Sequence, residues 1–334
     1  MLRFQYMRAA SYERFGSARE VLTVGELPKP VPGPGEVRVR VHFSGVNPSD
    51  VKTRNGMRGG ALPFPRIVPH SDGAGFIDAV GMDVDEARIG ERVWLWNAGW
   101  KRANGTAAEY VTLPQAQAVE LPAHIDLAAG ACLGIPALTA YHAVACGSGV
   151  EHKTVLVAGG AGAVGHYAVQ IAEAEGARRV IATVSGPEKA ALARSAGADL
   201  IVNYREDDLV ARCLEATDGL GVERIIEVDL AANITRDLEI VRPDGDIVSY
   251  GSGAPEIPVP FLPSILGNVT FRFFIVYNLS PSDRAQAQVR LTELLAQNRL
   301  SHNVALQLPL EEIVQAHELI ERGALLGNLV LALA

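Results

Sequence analysis

The sequence predicts an α/β protein in which a doubly wound parallel sheet follows a separate β-rich domain. Three observations carry this. Residues 154–165, Thr-Val-Leu-Val-Ala-Gly-Gly-Ala-Gly-Ala-Val-Gly, run a short β-branched strand into a glycine cluster, and a helical pattern follows from His166 to Glu175. After Gly134, strand and helix patterns alternate, as parallel strands joined by crossover helices require. Before that point come many short strands bounded by turn residues, the pattern of a barrel-like β domain.

In chain order, the Pro-rich approach Pro28, Pro30, Pro32, Pro34 reads as a loop or edge segment. Glu36–Phe43 alternates, with Val37, Val39, Val41 and Phe43 on one face, as in a half-buried strand. Gly73–Val80, Arg92–Trp96 and Ala108–Leu113 are further short strands. Two polar stretches interrupt them: Gly45-Val46-Asn47-Pro48-Ser49-Asp50 and Pro69-His70-Ser71-Asp72-Gly73-Ala74-Gly75. On residue type alone, Asn47 and Asp72 are either turn and cap residues or members of a site. Leu127–Val150 is apolar, but Gly130, Gly134, Pro136, Gly147 and Gly149 break it, so it reads as a buried helix and its approach rather than a membrane span.

The glycine cluster fits a dinucleotide site. Gly160, Gly162 and Gly165 match G-x-G-x-x-G, and Gly159, Gly162 and Gly165 match G-x-x-G-x-x-G. Glycine permits the turn, the approach of the backbone to a pyrophosphate, and close helix–strand packing. The helix N-terminus, with Ala163 and Val164 in its first turn, supplies N–H groups and a positive dipole end. A second strand, Arg179–Val184, closes the βαβ unit that this motif needs. The later strands are Leu200–Asn203, Arg224–Val228 and Asp246–Gly251, with helices at 187–196, 207–217 and 233–241. At the end of the second strand an NAD-preferring fold usually carries an acid. Here the residues are Thr183, Val184, Ser185, with Lys189 one turn on and Tyr204-Arg205 ending the next strand, a set suited to the 2′-phosphate of NADPH. Val269–Tyr277 reads as a long apolar strand, either a core strand or an edge that pairs with a second subunit. Amphipathic helices at 286–298 and 310–322 and a strand at 329–333 complete the chain.

Composition narrows the function classes. The 334 residues are 48% hydrophobic and 20% charged, with net charge −8 and no basic block, which disfavours general nucleic-acid binding. Three scattered cysteines point to a reducing, cytoplasmic setting without disulfides. The first six residues lack the apolar core of a signal peptide. His70 has no neighbouring Cys or His, and no Cys-x-x-Cys occurs, so a zinc site is not expected.

Several of these stretches together resemble a known family. They are Gly45-Val46-Asn47-Pro48, Ser71-Asp72-Gly73-Ala74-Gly75, Gly134-Ile135-Pro136-Ala137-Leu138-Thr139-Ala140-Tyr141, the glycine loop, Asn203-Tyr204-Arg205-Glu206 and Ala316-His317-Glu318. The chain resembles the zinc-free quinone oxidoreductases of the medium-chain dehydrogenase/reductase superfamily, the group that includes zeta-crystallin. The resemblance implies a GroES-like catalytic domain (1–130 and 279–334), a Rossmann NADPH-binding domain (131–278), and an active site in the cleft between them. Where the zinc enzymes of the superfamily have Cys and His ligands, this chain has Asn47 and Ser71, and the four-cysteine structural zinc loop is missing between Trp96 and Ala107.

The resemblance also assigns residues. Asn47 would lie by the nicotinamide and Thr139 would contact the cofactor. Lys189 and Tyr204 would hold the adenosine phosphate, beside the Ser185 hydroxyl read at the strand end. Gly251, Phe274, Val276 and Asn328 would complete the cofactor set, with Phe274–Tyr277 also at a homodimer interface. Some relatives have Tyr five residues after this Asn, where this chain has Lys52, and no Tyr occurs around Arg58. The expected activity is zinc-independent reduction of quinones by NADPH, with Asn47 or Lys52 donating to the substrate oxygen. The alternatives are an alkenal or enone reductase on the same scaffold, and a non-catalytic NADPH-binding structural or RNA-binding protein.

Overall fold

The computed structural model describes residues 6–57, 59–323 and 325–333, so Arg58 and the first five residues lie outside the described set. The chain divides into two units: Met1–Ile135 with His302–Ala334, and Pro136–Ser301. Residues 279–301, which the sequence groups with the catalytic domain, fall in the second unit.

The first unit opens with an antiparallel pair, β1 (Tyr6–Ser11) and β2 (Thr23–Pro28). Then come β3 (Glu36–Val46), β4 (Asp72–Val80), β5 (Arg92–Leu95), β6 (Tyr110–Pro114) and β7 (Ala118–Glu120). The alternation read in the sequence is the cause of β3: Val37, Val39 and Val41 are fully buried against Ile77, Val93, Leu95, Val111 and Leu113. At 11 residues, β3 is long enough to pair with β6 along its first half and β4 along most of its length. Between β3 and β4, Pro48 at the first helical turn starts the helix Pro48–Arg54, as its fixed φ favours.

The second unit is a six-stranded sheet whose pairings are all parallel: β8 (Thr154–Val157), β9 (Arg179–Val184), β10 (Leu200–Asn203), β11 (Val222–Glu227), β12 (Val241–Ser249) and β13 (Thr270–Phe273), in the order β10-β9-β8-β11-β12-β13. The order reverses between β8 and β11, so the sheet is doubly wound, and open sheets of this kind bind ligands at the carboxyl ends of their strands. The expected helices form as Ala163–Ala174, Pro187–Ser195, Leu209–Glu215 and Leu230–Ile240. Arg224 of β11 is fully buried beside Asp246, its register partner on β12. Its five donors are all used: two on Asp246 (2.9 and 2.6 Å) and three on the carbonyls of Ala143, Val144 and Cys146 at the end of the helix Leu138–Ala145.

One expectation changes. The strand expected over 269–277 is only four residues, Thr270–Phe273, at the sheet edge. Its partner β12 ends at Ser249, opposite Phe273, and the chain then turns so that Val276 and Tyr277 are buried. The apolar stretch 127–150 breaks into Leu127–Gly130, a wide turn at Leu133–Ala137 containing Pro136, and Leu138–Ala145. Among the described residues no helix is long and apolar enough to cross a membrane.

The chain re-enters the first unit with β14 (Val304–Pro309), the helix Ile313–Glu321 and β15 (Asn328–Ala332). β15 inserts between β14 and β3. Leu308, Ile313, Leu329 and Leu331 join Met7, Ala9, Tyr12 and Val46 in a second core.

Candidate functional site

The glycine loop leaves β8 and enters the helix Ala163–Ala174. Gly159 adopts φ 68°, a left-handed conformation suited to glycine, and its N–H donates to Thr183 Oγ1 at 3.0 Å. Gly162 caps the helix, and its N–H donates to the Gly159 carbonyl at 2.8 Å. A Cβ on Gly165 would stand 2.1 Å from the Gly159 carbonyl oxygen, and one on Gly160 2.6 Å from Ala182 Cβ. These close approaches are the reason for glycine at 160 and 165. The first helical bond runs from His166 N–H to the Gly162 carbonyl, so the N–H groups of Ala163, Val164 and Gly165 precede it. The arrangement fits the pyrophosphate of a dinucleotide.

Next to this loop, β9 ends at Val184. Lys189 Nζ donates to Ser185 Oγ at 2.9 Å. Tyr204 follows β10, its N–H bonded to the Val184 carbonyl at 3.1 Å, and the residue is 43% exposed. The parallel register, Asn203 opposite Val184, brings Ser185, Lys189 and Tyr204 to one edge. The ammonium of Lys189 meets the hydroxyl of Ser185 there, with Tyr204 following the adjacent strand, and residues 183–186 carry no carboxylate.

The other expected residues of this unit sit as follows. Thr139 is buried in the first turn of Leu138–Ala145. Gly251 follows β12, and a Cβ there would stand 2.3 Å from the Val228 carbonyl oxygen. Phe274 meets the ring of His142 edge-on at 4.6 Å, and the buried Val276 offers its carbonyl to Arg284. One feature was missed in the sequence: a buried carboxyl pair at the end of β11. Glu227 accepts from Asn233 Nδ2 at 3.0 Å and from the Asp229 N–H. Asp237 beside it is pushed up to about 8, first by burial and then by the Glu227 charge. Their ten-residue spacing across a strand–helix junction leaves no periodic signal.

In the first unit, Asn47 is 4% exposed at the start of the helix Pro48–Arg54. Its N–H donates to Asp50 Oδ2 at 2.8 Å, and its Nδ2 donates to Asp72 Oδ2 at 2.9 Å. That oxygen also accepts from Ile135 N–H at 3.0 Å. Asp72 is fully buried, and burial, then the nearby Asp50, hold its carboxyl well above the usual range. Asn47 and Asp72 are therefore one linked unit, which sequence distance concealed. Lys52 is half-buried on the same helix. Asn328 is buried at the start of β15, with Nδ2 bonded to the Asn303 carbonyl at 3.2 Å.

These groups do not fit a zinc ion. The Asn47 amide is engaged with Asp72, Ser71 offers a hydroxyl, and His70 faces Ser44 and His317 with both ring nitrogens. Among the described residues no group of three His, Cys, Asp or Glu side chains is arranged to hold a metal ion.

Comparison with known proteins matches two family models: an alcohol dehydrogenase GroES-like domain at residues 33–123 and a zinc-binding dehydrogenase at 163–293. A quinone oxidoreductase of Pongo abelii is 30% identical over 336 residues, covering 98% of each chain. A mycobacterial protein solved in complex with NADPH superposes with TM-score 0.86 at 28% identity, covering 98% of this chain and 99% of that one. A structure described as an NAD-dependent alcohol dehydrogenase superposes with TM-score 0.88 at 30% identity, covering 98% and 100%. The fold, the glycine cradle and these relatives agree: the chain belongs to the quinone oxidoreductases of the medium-chain dehydrogenase/reductase superfamily, and is an oxidoreductase that uses a nicotinamide cofactor.

Proposed function

We propose that the chain is an NADPH-dependent, zinc-independent reductase of quinones. The preference for NADPH is supported above all by the Lys189–Ser185 pair beside Tyr204, at a strand end without an acid. Gly159, Gly162, Ala163, Val164 and Gly165 hold the pyrophosphate, and Lys189, Ser185 and Tyr204 hold the 2′-phosphate. Thr139, Gly251, Phe274, Val276 and Asn328 complete the cofactor contacts. The bound nicotinamide supplies a hydride. The protein's part is to hold the substrate and stabilise the charge that develops on its oxygen. Asn47 spends one N–H of its amide on Asp72, and the second donates to that oxygen. Lys52, five residues on, adds a cation to the same helix. The proton comes from solvent.

Lys189→Ala should weaken NADPH binding at least about ten-fold, the loss of one charge-assisted contact, and leave NADH binding nearly unchanged. Fluorescence titration with both cofactors reads this, and equal losses would overturn the phosphate assignment. Consumption of NADPH with benzoquinone, phenanthrenequinone and a simple enone, with a chelator present, tests the acceptor. Turnover of the enone alone would replace the quinone assignment.

We propose further that the protein is a homodimer through the edge strand β13 and the neighbouring helix Phe261–Leu266. Phe261, Leu266 and Phe273 are 73%, 75% and 61% exposed, an apolar surface that a second copy would cover. Leu266→Glu should shift the protein from dimer to monomer in sedimentation, whereas a monomeric parent would remove the proposal.

A further inference from the structure

Four polar side chains distant in sequence meet inside the first unit. His70 and His317 are 2% and 0% exposed, and their Nε2 atoms are 2.9 Å apart. His70 Nδ1 is 2.8 Å from Ser44 Oγ, and Ser44 Oγ is 2.8 Å from Thr106 Oγ1. Thr106 Oγ1 donates to the main-chain carbonyl of Asp72. His70 holds φ 76°, an uncommon backbone conformation for a residue with a side chain.

Counting protons fixes every direction. The Asp72 carbonyl only accepts, so the Thr106 hydroxyl proton is spent there. Thr106 Oγ1 must then accept from Ser44, and Ser44 Oγ must accept from His70. The proton of His70 is therefore on Nδ1. A neutral His70 leaves Nε2 bare, so His317 must donate from its own Nε2. Burial keeps both rings neutral: it drives His70 down to about 3 and His317 well below its usual value, the latter with help from His70 and Arg54. Bare Nδ1 of His317 has no hydrogen-bond partner among the described residues, and neither do Nε and Nη1 of the buried Arg54. Arg54 ends the helix that Asn47 begins. The hydrogen bonds run from His317 through His70, Ser44 and Thr106 to the main chain of Asp72, whose side chain holds Asn47.

We propose that His317, His70, Ser44 and Thr106 form a one-way hydrogen-bond chain, with protons on His317 Nε2 and His70 Nδ1, that positions Asp72 and through it Asn47. The positioning role rests on the proposed function of Asn47; the proton assignment does not. His70 and His317 are positioning residues.

Imidazole nitrogen–proton correlation spectra of the full chain, labelled with nitrogen-15 histidine, test the assignment. His317→Gln identifies the His317 signal by its loss, and His70→Asn does the same for His70. The expected result is two neutral rings, His70 protonated at Nδ1 and His317 at Nε2. The opposite tautomer at His70, or a doubly protonated ring, overturns the chain. For the positioning role, His317→Leu removes the donor, while His317→Gln offers an amide N–H at similar reach. We expect kcat to fall about ten-fold or more in the Leu variant, since small misplacements of a catalytic group are costly, with NADPH affinity unchanged and kcat recovered in the Gln variant. A folded Leu variant with a lower melting temperature and unchanged kcat overturns positioning. If the Leu variant does not fold, His70→Asn takes its place, keeping the donor to Ser44 but losing the link to His317, with the same expected drop in kcat. If Asn47→Ala turns over normally, the reading of Asn47 fails while the spectra still decide the chain.

Discussion

Gly165→Ala is expected to abolish binding of the nicotinamide cofactor in a protein that still folds. The added methyl carbon would stand 2.1 Å from the Gly159 carbonyl oxygen, 2.8 Å from its carbon and 3.1 Å from Gly160 Cα. All three are backbone atoms of the loop, so relief requires the loop to open or the helix Ala163–Ala174 to withdraw. Either movement scatters the N–H groups of Ala163, Val164 and Gly165. Affinity for NADPH should drop at least about 100-fold, or ~2.7 kcal/mol. Gly162→Ala is the contrast: its Cβ would stand 3.2 Å from the Gly159 oxygen, a distance a small shift relieves. Fluorescence titration, with circular dichroism to verify folding, compares the two. A folded Gly165→Ala protein with parental affinity would remove the glycine loop as the cofactor cradle.

Arg224→Leu should cause the largest loss of stability. Removal of the guanidinium leaves the Asp246 carboxylate, 9% exposed at its side chain, without its bidentate partner, and strips three carbonyls at the end of Leu138–Ala145. Arg272, 3.5 Å from Asp246, offers only partial compensation from a half-exposed position. Breaking a buried pair from one side costs about 3–5 kcal/mol, a large share of a typical ~5–15 kcal/mol total. The denaturation midpoint of the second unit should fall accordingly. Arg224→Leu combined with Asp246→Leu should recover part of the loss, because the uncompensated charge is then gone. If the single variant unfolds at the parental denaturant concentration, the cluster is not a structural anchor. Thr139 lies on the anchored helix, so NADPH binding should loosen in step with stability.

Local features were legible in the sequence, and long-range ones were not. The glycine loop, β8 and β9 lie within about 30 residues of chain, the span of one βαβ unit, and their chemistry is written consecutively. The alternation at Val37, Val39 and Val41 marks a buried face wherever the strand sits. By contrast, His70 and His317 are 247 residues apart, and each reads singly as a dispersed histidine. The same distance effect hid the bond from Asn47 to Asp72. The sequence overstates the edge strand because Val269–Tyr277 is rich in aromatic and β-branched residues, and hydrophobicity records burial or contact, not where a partner strand stops. Its true length follows from β12 ending at Ser249. The helices over 281–296 and 313–321 were recognised by their apolar stripe with ends displaced by a few residues, as expected where caps rather than periodicity set the boundary.

The insertion of β15 between β14 and β3 has a kinetic consequence. During synthesis the ribosome delivers β3 early and β15 only after the whole second unit has emerged. Until then one side of β3 at Phe43–Val46 lacks its native neighbour, and the core containing Leu329 and Leu331 stays open. The second unit has its strands and helices in one continuous stretch and can collapse first. The first unit must wait for a loop closure spanning nearly the full chain, the slow kind of contact in folding. Nascent chains halted before Asn328 should therefore protect the parallel sheet from protease while leaving the first unit susceptible, and the last five-residue strand acts as the latch that completes it.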